Sequence, residues 1–159
     1  MPSIAKFSSQ DDQNIEMAAF AAFIGEREKK ETGYGFCDQP LSFVHSCNLS
    51  SYLQDSDELI RALTHEAYQE KTVWEPYKRS THNGFQTPQK VNLFAEPSLN
   101  FLRLKTILLQ ELEVYYQKFK NESCTFVRKW PSKKNLWAWH VILKSNGYQA
   151  PHIHPSGWL

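Results

Sequence analysis

The sequence predicts an α+β fold in which helices come first along the chain and β-strands come last. Three stretches before residue 120 carry apolar residues at the spacing of an amphipathic helix. Residues 135–159 instead begin with aromatic and β-branched residues at every second position, which is the period of a strand. Aromatic residues make up 14% of the chain, which favours a β-rich folded domain over disorder.

The first predicted helix covers residues 13–30. Its apolar residues recur at helical spacing: Ile15, Ala18, Ala19, Ala22 and Phe23. Asp11 and Asp12 precede it and are candidate N-caps, because their side chains can accept hydrogen bonds from the first N–H groups of a helix. Gly33 and Gly35 mark its end.

The middle of the chain predicts a loop, a second helix and another loop. Residues 36–49 are interpreted as a loop with a short strand. A helix begins at residues 55–58, because acidic side chains are favoured at the positive end of the helix dipole. Its predicted buried stripe consists of Leu59, Ile60, Leu63 and Ala67. Residues 74–76, which end with Pro76, are predicted to break this helix, and residues 81–89 are predicted to be a loop.

The longest predicted helix covers residues 98–119. Its predicted buried stripe consists of Leu99, Leu102, Thr106, Leu109, Leu112, Tyr116 and Phe119. Phe126 and Val127 are predicted to form a strand, and residues 131–135 a turn.

The C-terminal segment predicts a β-hairpin. Trp137, Trp139, Val141 and Leu143 alternate on one face of its first strand. Residues 145–147 supply the turn, because Asn-Gly tolerates positive φ at both positions. The second strand then places four residues on one side: Tyr148, Ala150, His152 and His154.

His152 and His154 are the candidate metal ligands. On a strand, imidazoles two residues apart project in the same direction and can chelate one ion. Imidazole suits zinc, iron, copper and nickel. The alternative is a structural pair, since isolated His-x-His arises often without a metal.

Two segments of the sequence are similar to a known family. Asn146–Leu159 resembles the first metal-binding strand of 2-oxoglutarate- and Fe(II)-dependent dioxygenases, in the bacterial and phage branch related to prolyl hydroxylases. In that branch a His-x-His-Pro-x-Gly-Trp-Leu segment leads into a Ser-x-x-Tyr-Tyr strand. Thr81–Thr87 resembles the Gly-Gly-x-Gln-Thr segment of the same group. The resemblance covers residues 80–159.

The resemblance implies an oxidoreductase with a double-stranded β-helix (jelly-roll) core buttressed by N-terminal helices. It implies Fe(II) as cofactor and 2-oxoglutarate as co-substrate. His152 matches the first iron ligand, whereas His154 stands where a carboxylate is usual, so either His154 or another residue is the second ligand. No catalytic side chain is assigned. The distal histidine and the cation that pairs with 2-oxoglutarate would lie beyond Leu159. The sequence is therefore expected to be a fragment whose reading frame continues.

Size and charge restrict the function classes. The chain has 159 residues, the length of one domain, and is divided here into an N-terminal helical segment, 1–35, and an oxygenase-like part, 36–159. Its net charge of +1 gives no footprint for nucleic acid or for an anionic membrane. Three cysteines without a CxxC spacing predict thiols in a reducing compartment, and hence a cytoplasmic protein. The substrate stays open.

Two other functions fit the histidine pair. Histidine-triad nucleotide hydrolases and transferases carry His-φ-His-φ-His on a strand, with the central histidine as nucleophile, which would be His154. Position 156 is Ser, however, and position 155 is Pro. The second alternative is a non-catalytic interaction module in which the pair is structural. Nucleotide hydrolysis tests the first alternative, and metal content tests the second.

Overall fold

Helices and a small antiparallel sheet make up an α+β fold, as the sequence predicts. The structure is a computed structural model that describes residues 6, 10–37 and 39–154. Its helices are α1 (Ile15–Glu28), α2 (Ser56–Gln69), α3 (Leu99–Phe119) and the short α4 (Thr125–Arg128). Its strands are β1 (Val73–Trp74), β2 (Thr81–Gln86) and β3 (Val141–Gln149). Two 3-10 turns, Pro40–Phe43 and Leu49–Ser51, lie between α1 and α2.

The chain divides into two compact units. The first unit consists of Met1–Ser46, Leu112–Lys133 and Ile153–Leu159, and the second of Cys47–Glu111 and Lys134–His152. Helix α3 is continuous across the division. The segments 1–35 and 36–159 stay a prediction.

An aromatic cluster forms the core of the first unit. Its buried residues are Ala21, Tyr34, Phe36, Phe119, Phe126 and Val127. Phe126 and Val127 are 7% and 3% exposed and lie in helix α4, so the predicted strand is wrong. A strand with one solvent face would bury only one of two neighbouring residues. Here the Phe126 N–H donates to the carbonyl oxygen of Phe36, and α4 buries both side chains.

Helix α1 begins later than predicted and ends earlier. Asn14 is its N-cap, since the Asn14 side chain accepts a hydrogen bond from the N–H of Met17. Asp11 and Asp12 therefore do not cap it. The helix ends at Glu28, and its C-cap, Lys29, adopts the left-handed conformation at φ 51°.

Helix α3 lies where the sequence predicts, and α2 begins where predicted but ends at Gln69, before the predicted break at residues 74–76. The buried faces of both helices differ from the predicted stripes. Leu59 is buried at 1% exposure, whereas the neighbouring Ile60 is 49% exposed. On α3, Leu99 and Leu102 are exposed, and the buried residues are Ile107 and Phe119.

The sheet belongs to the second unit and has the order β1-β2-β3, with both pairs antiparallel. Strand β2 lies at its centre, so the predicted loop at 81–89 is wrong for residues 81–86. β3 runs through Asn146 and Gly147 without reversing, so the predicted hairpin is wrong as well. Trp137 and Trp139 precede β3 and lie outside it.

The Asn146-Gly147 pair, which predicts a hairpin turn, forms part of a β-bulge in β3 instead. Gly84 pairs with Leu143 and His82 with Tyr148, so residues 144–147 lie opposite a single residue, Asn83. Both Asn83 and Asn146 have positive φ, at 50° and 62°. The Asn83 side-chain N–H₂ group also donates to the carbonyl oxygen of Ser145, at 2.8 Å. A β-bulge places extra residues on one strand in this way.

The three cysteines, Cys37, Cys47 and Cys124, form no disulfide, as predicted. No helix in the described part of the chain is both long and apolar enough to cross a lipid bilayer.

Candidate metal site at the end of strand β3

The two segments that carry the family resemblance are neighbours in the sheet. The first contains β2, and the second begins within the last part of β3. Thr81 pairs with Gln149 and His82 with Tyr148, although Thr81 and Gln149 are 68 positions apart in sequence. The pairing of β2 with β3 therefore brings both segments to one end of the sheet.

A chain of side-chain hydrogen bonds joins the two strands at this end. The Thr81 hydroxyl donates to Gln86 Oε1 at 2.7 Å and accepts from Gln149 Nε2 at 2.7 Å. The Ser80 hydroxyl donates to Gln149 Oε1 at 2.5 Å. Thr81 and Gln86 are buried at 2% and 8% exposure. The sequence singles out the Gln-Thr segment only through its resemblance, and it gives no local signal for this network.

His152 is connected to the same network through the backbone. The Ala150 N–H donates to the carbonyl oxygen of Ser80 at 2.7 Å. The carbonyl oxygen of Ala150 lies 2.8 Å from Nδ1 of His152. A carbonyl oxygen can only accept, so this contact is a hydrogen bond in the tautomer that carries its proton on Nδ1. A neutral ring in that tautomer has its lone pair on Nε2, the nitrogen through which it would bind a metal.

Both His152 and His154 lie beyond the strand. β3 ends at Gln149, and residues 150–154 have no strand pairing, so the strand period does not determine which way the two imidazoles point. Both residues are exposed. The division between the two units falls after His152. His152 therefore belongs to the second unit and His154 to the first. Residues 155–159 of the resembled segment lie outside the described residues.

An iron site of the implied kind needs two histidines and a carboxylate. Among residues 6, 10–37 and 39–154, no group of three or more His, Cys, Asp or Glu side chains is arranged to hold a metal ion. His152 fits the role of one ligand, and the described residues do not complete the set. No catalytic step through the metal follows from them.

His140 is not a third ligand to an ion at His152, because it precedes the opposite end of β3. Val141 pairs with Gln86 and Gln149 with Thr81, so β3 extends along β2 for about 16 Å at a rise of about 3.3 Å per residue. Nδ1 and Nε2 of His140 are both buried without a hydrogen-bond partner. Burial lowers the pKa of His140, and the nearby Glu70 raises it by less.

His82 points away from the buried side of β2. It is exposed, and its ring stacks on Tyr148 with the ring centroids 4.9 Å apart. Such a cross-strand pair stabilises the sheet, and no metal is needed to explain it.

No known family model, no curated protein and no solved structure matches this chain. The functional reading therefore depends on the residues themselves.

Proposed function

We propose that the protein is a 2-oxoglutarate- and Fe(II)-dependent dioxygenase that uses His152 and His154 as metal ligands. The observation that carries the proposal is the hydrogen bond from His152 Nδ1 to the carbonyl oxygen of Ala150. A metal-bound histidine almost always donates its second ring N–H to a carbonyl, a carboxylate or water, which fixes the tautomer and the orientation of the ring. The Ala150 carbonyl oxygen, 2.8 Å from Nδ1 of His152, is placed to accept such a hydrogen bond.

The sheet supports the proposal in a second way. A double-stranded β-helix is built from antiparallel strands, and the resembled family takes its first iron ligands from one of them. β3 is an edge strand of an antiparallel sheet, and His152 follows its end by three residues. The two segments that resemble the family pair side by side in this sheet.

Iron bound here would supply open coordination positions for 2-oxoglutarate and oxygen. The role of this chain's residues is to hold the ion and to fix the orientation of the His152 ring. His154 replaces the usual carboxylate, so the ligand set proposed is unusual at that position. The substrate and the 2-oxoglutarate-binding cation are left open.

Anaerobic Fe(II) binding tests the proposal. The protein is loaded with Fe(II), passed through a desalting column and analysed for iron. We expect bound iron in the wild type and its loss in the double variant His152→Ala/His154→Ala. The control variant His45→Ala/His65→Ala removes the same number of imidazoles elsewhere and should retain the iron. Equal iron content in the wild type and the His152→Ala/His154→Ala variant would show that these two histidines do not bind the iron.

Turnover of 2-oxoglutarate to succinate tests the activity itself. Iron-dependent succinate formation that His152→Ala abolishes supports a dioxygenase. Iron binding without such turnover would restrict the proposal to a metal-binding protein. In His154→Ala, lost turnover marks His154 as a ligand, whereas retained turnover assigns that position to another residue.

Neither alternative function gains support from the described residues. A histidine-triad site and the resembled iron site both place their histidines on a strand, and β3 ends at Gln149, before either imidazole. Nucleotide hydrolysis separates the two, since only a histidine-triad enzyme would catalyse it. A non-catalytic module with a structural histidine pair would bind no iron in the same assay.

A further inference from the structure

We propose that Thr81 is a positioning residue for the His152 imidazole, acting through Gln149, Ser80 and Ala150. The inference rests on the proposed function, because it describes how the metal ligand of that site is held. It assigns a role to a buried hydroxyl group, that of Thr81, which is not itself a metal ligand.

The hydrogen bonds in this chain run in one direction. Ser80 donates to Gln149 Oε1, Gln149 Nε2 donates to Thr81, and Thr81 donates to Gln86 Oε1. Each side chain uses a donor and an acceptor that match those of its neighbours, so the arrangement has one consistent orientation of both amides. Hydrogen bonds that connect buried side chains in this way rigidify the segment that contains them.

Thr81 is the central member. Its hydroxyl is the partner of both glutamines, and it is 2% exposed, so water cannot easily replace it. An isosteric change to valine would leave Gln86 Oε1 and Gln149 Nε2 without this partner. Gln86 is buried, so its unpaired Oε1 would cost free energy, whereas the Gln149 amide is exposed and would turn towards water. Either response changes the position of the Gln149 side chain relative to Ser80.

Ser80 connects the side-chain network to the backbone next to His152. Its hydroxyl holds the side chain of Gln149, and its carbonyl oxygen accepts the Ala150 N–H at 2.7 Å. The carbonyl oxygen of Ala150 itself lies 2.8 Å from Nδ1 of His152, as the acceptor of its N–H. A change at Thr81 that shifts Gln149 or Ser80 therefore moves the carbonyl group that sets the His152 tautomer.

The test compares four variants with the wild type. Thr81→Val removes the hydroxyl, and Thr81→Ser restores it. Gln149→Met breaks the same chain at an exposed residue, which keeps the test valid if Thr81→Val fails to fold. Thr125→Val is the matched control, because Thr125 is equally buried at 1% exposure but its hydroxyl donates to Asp12 in the first unit.

Two quantities are measured: the tautomer of His152, from the ¹⁵N chemical shifts of its ring, and the affinity for Co(II). We expect the Nδ1–H tautomer in the wild type, in Thr81→Ser and in Thr125→Val. Thr81→Val and Gln149→Met should give mixed tautomers and bind Co(II) about 10-fold more weakly, the lower end of the effect of removing an outer-shell partner.

The two proposals fail in different ways. If the wild type binds no Co(II), the proposed function fails, and the tautomer shifts still decide whether Thr81 positions His152. If the wild type binds Co(II) while Thr81→Val and Gln149→Met keep both the tautomer and the affinity, the positioning role is overturned and the metal site stands.

Discussion

Replacing His140 with leucine is expected to stabilise the protein and to reduce its sensitivity to mild acid. Both ring nitrogens of His140 are buried without a hydrogen-bond partner. Burial holds its pKa in the folded protein below the ordinary value of 6.5, against a smaller opposing effect of Glu70. In the unfolded chain the ring titrates near that ordinary value. Unfolding in mild acid therefore takes up a proton at this residue.

The sign and size of the effect follow from this difference. Because the unfolded chain binds more protons, the free energy of unfolding falls as the pH drops from 6.5 towards the folded pKa. One proton gives a slope of at most about 1.4 kcal/mol per pH unit. Above pH 6.5, His140 does not change the dependence of the free energy of unfolding on pH, since its ring is neutral in both states. In His140→Leu this pH dependence is absent, because leucine does not titrate. The variant also removes the unpaired buried nitrogens, which lower the free energy of unfolding by about 1–3 kcal/mol.

Urea denaturation from about pH 5 to about pH 8 measures both effects, since histidine titrates in this range. The difference between the unfolding curves of wild type and His140→Leu isolates His140 from the other five of the six histidines. His65→Leu is the control, because His65 is exposed on α2. Parallel pH profiles for wild type and His140→Leu would refute the reasoning, since a well-hydrated or hydrogen-bonded ring would titrate normally.

The remaining predictions concern packing and one hydrogen bond. Gly147→Ala should cost about 1–3 kcal/mol and loosen the amides of β2 and β3 in hydrogen exchange, because the added Cβ would lie 2.5 Å from a backbone carbonyl oxygen of β2. Unchanged protection in this variant would contradict the bulge geometry. Leu59→Ala should cost about 2–5 kcal/mol and Ile60→Ala about 1 kcal/mol or less in urea denaturation, since only Leu59 is buried; equal costs would argue against this rotation of α2. The hydrogen bond from Tyr52 to Glu111 raises the pKa of Tyr52 to about 12, so Glu111→Gln should lower it in a spectrophotometric titration. An unchanged midpoint would show that the two side chains do not interact.

The helices could be predicted from the sequence because their signals are local. The acidic run at residues 55–58 predicts the start of α2, and the long apolar period of residues 98–119 predicts α3 almost to the residue. The end of α2, at Gln69, lies before the predicted break at residues 74–76. Helical hydrogen bonds join residues four apart, so a short window contains most of the information. The buried faces were less predictable, because which side of a helix is covered depends on distant residues. Ile60 fits the predicted stripe and is nevertheless 49% exposed.

The sheet was decided by contacts between distant residues. The sequence around Asn146 carries a strong hairpin signal, yet β3 pairs with β2, and the two residues with positive φ are used in a bulge. A strand has no internal hydrogen bonds, so its partner cannot be read from its own residues. The same applies to Phe126 and Val127, whose apolar character indicates burial but does not distinguish a strand from the short helix α4.

For the candidate site, the sequence alone determined which residue types are present. It predicted the metal ligands His152 and His154 and singled out the Gln-Thr segment, and the resemblance to dioxygenases stays a prediction. Only the tertiary structure placed Thr81 opposite Gln149 and joined them to His152 by hydrogen bonds. The physical reason is that each hydroxyl, amide and imidazole can satisfy its donors and acceptors with many partners. Which partner it meets is set by the register of two strands that are far apart in sequence.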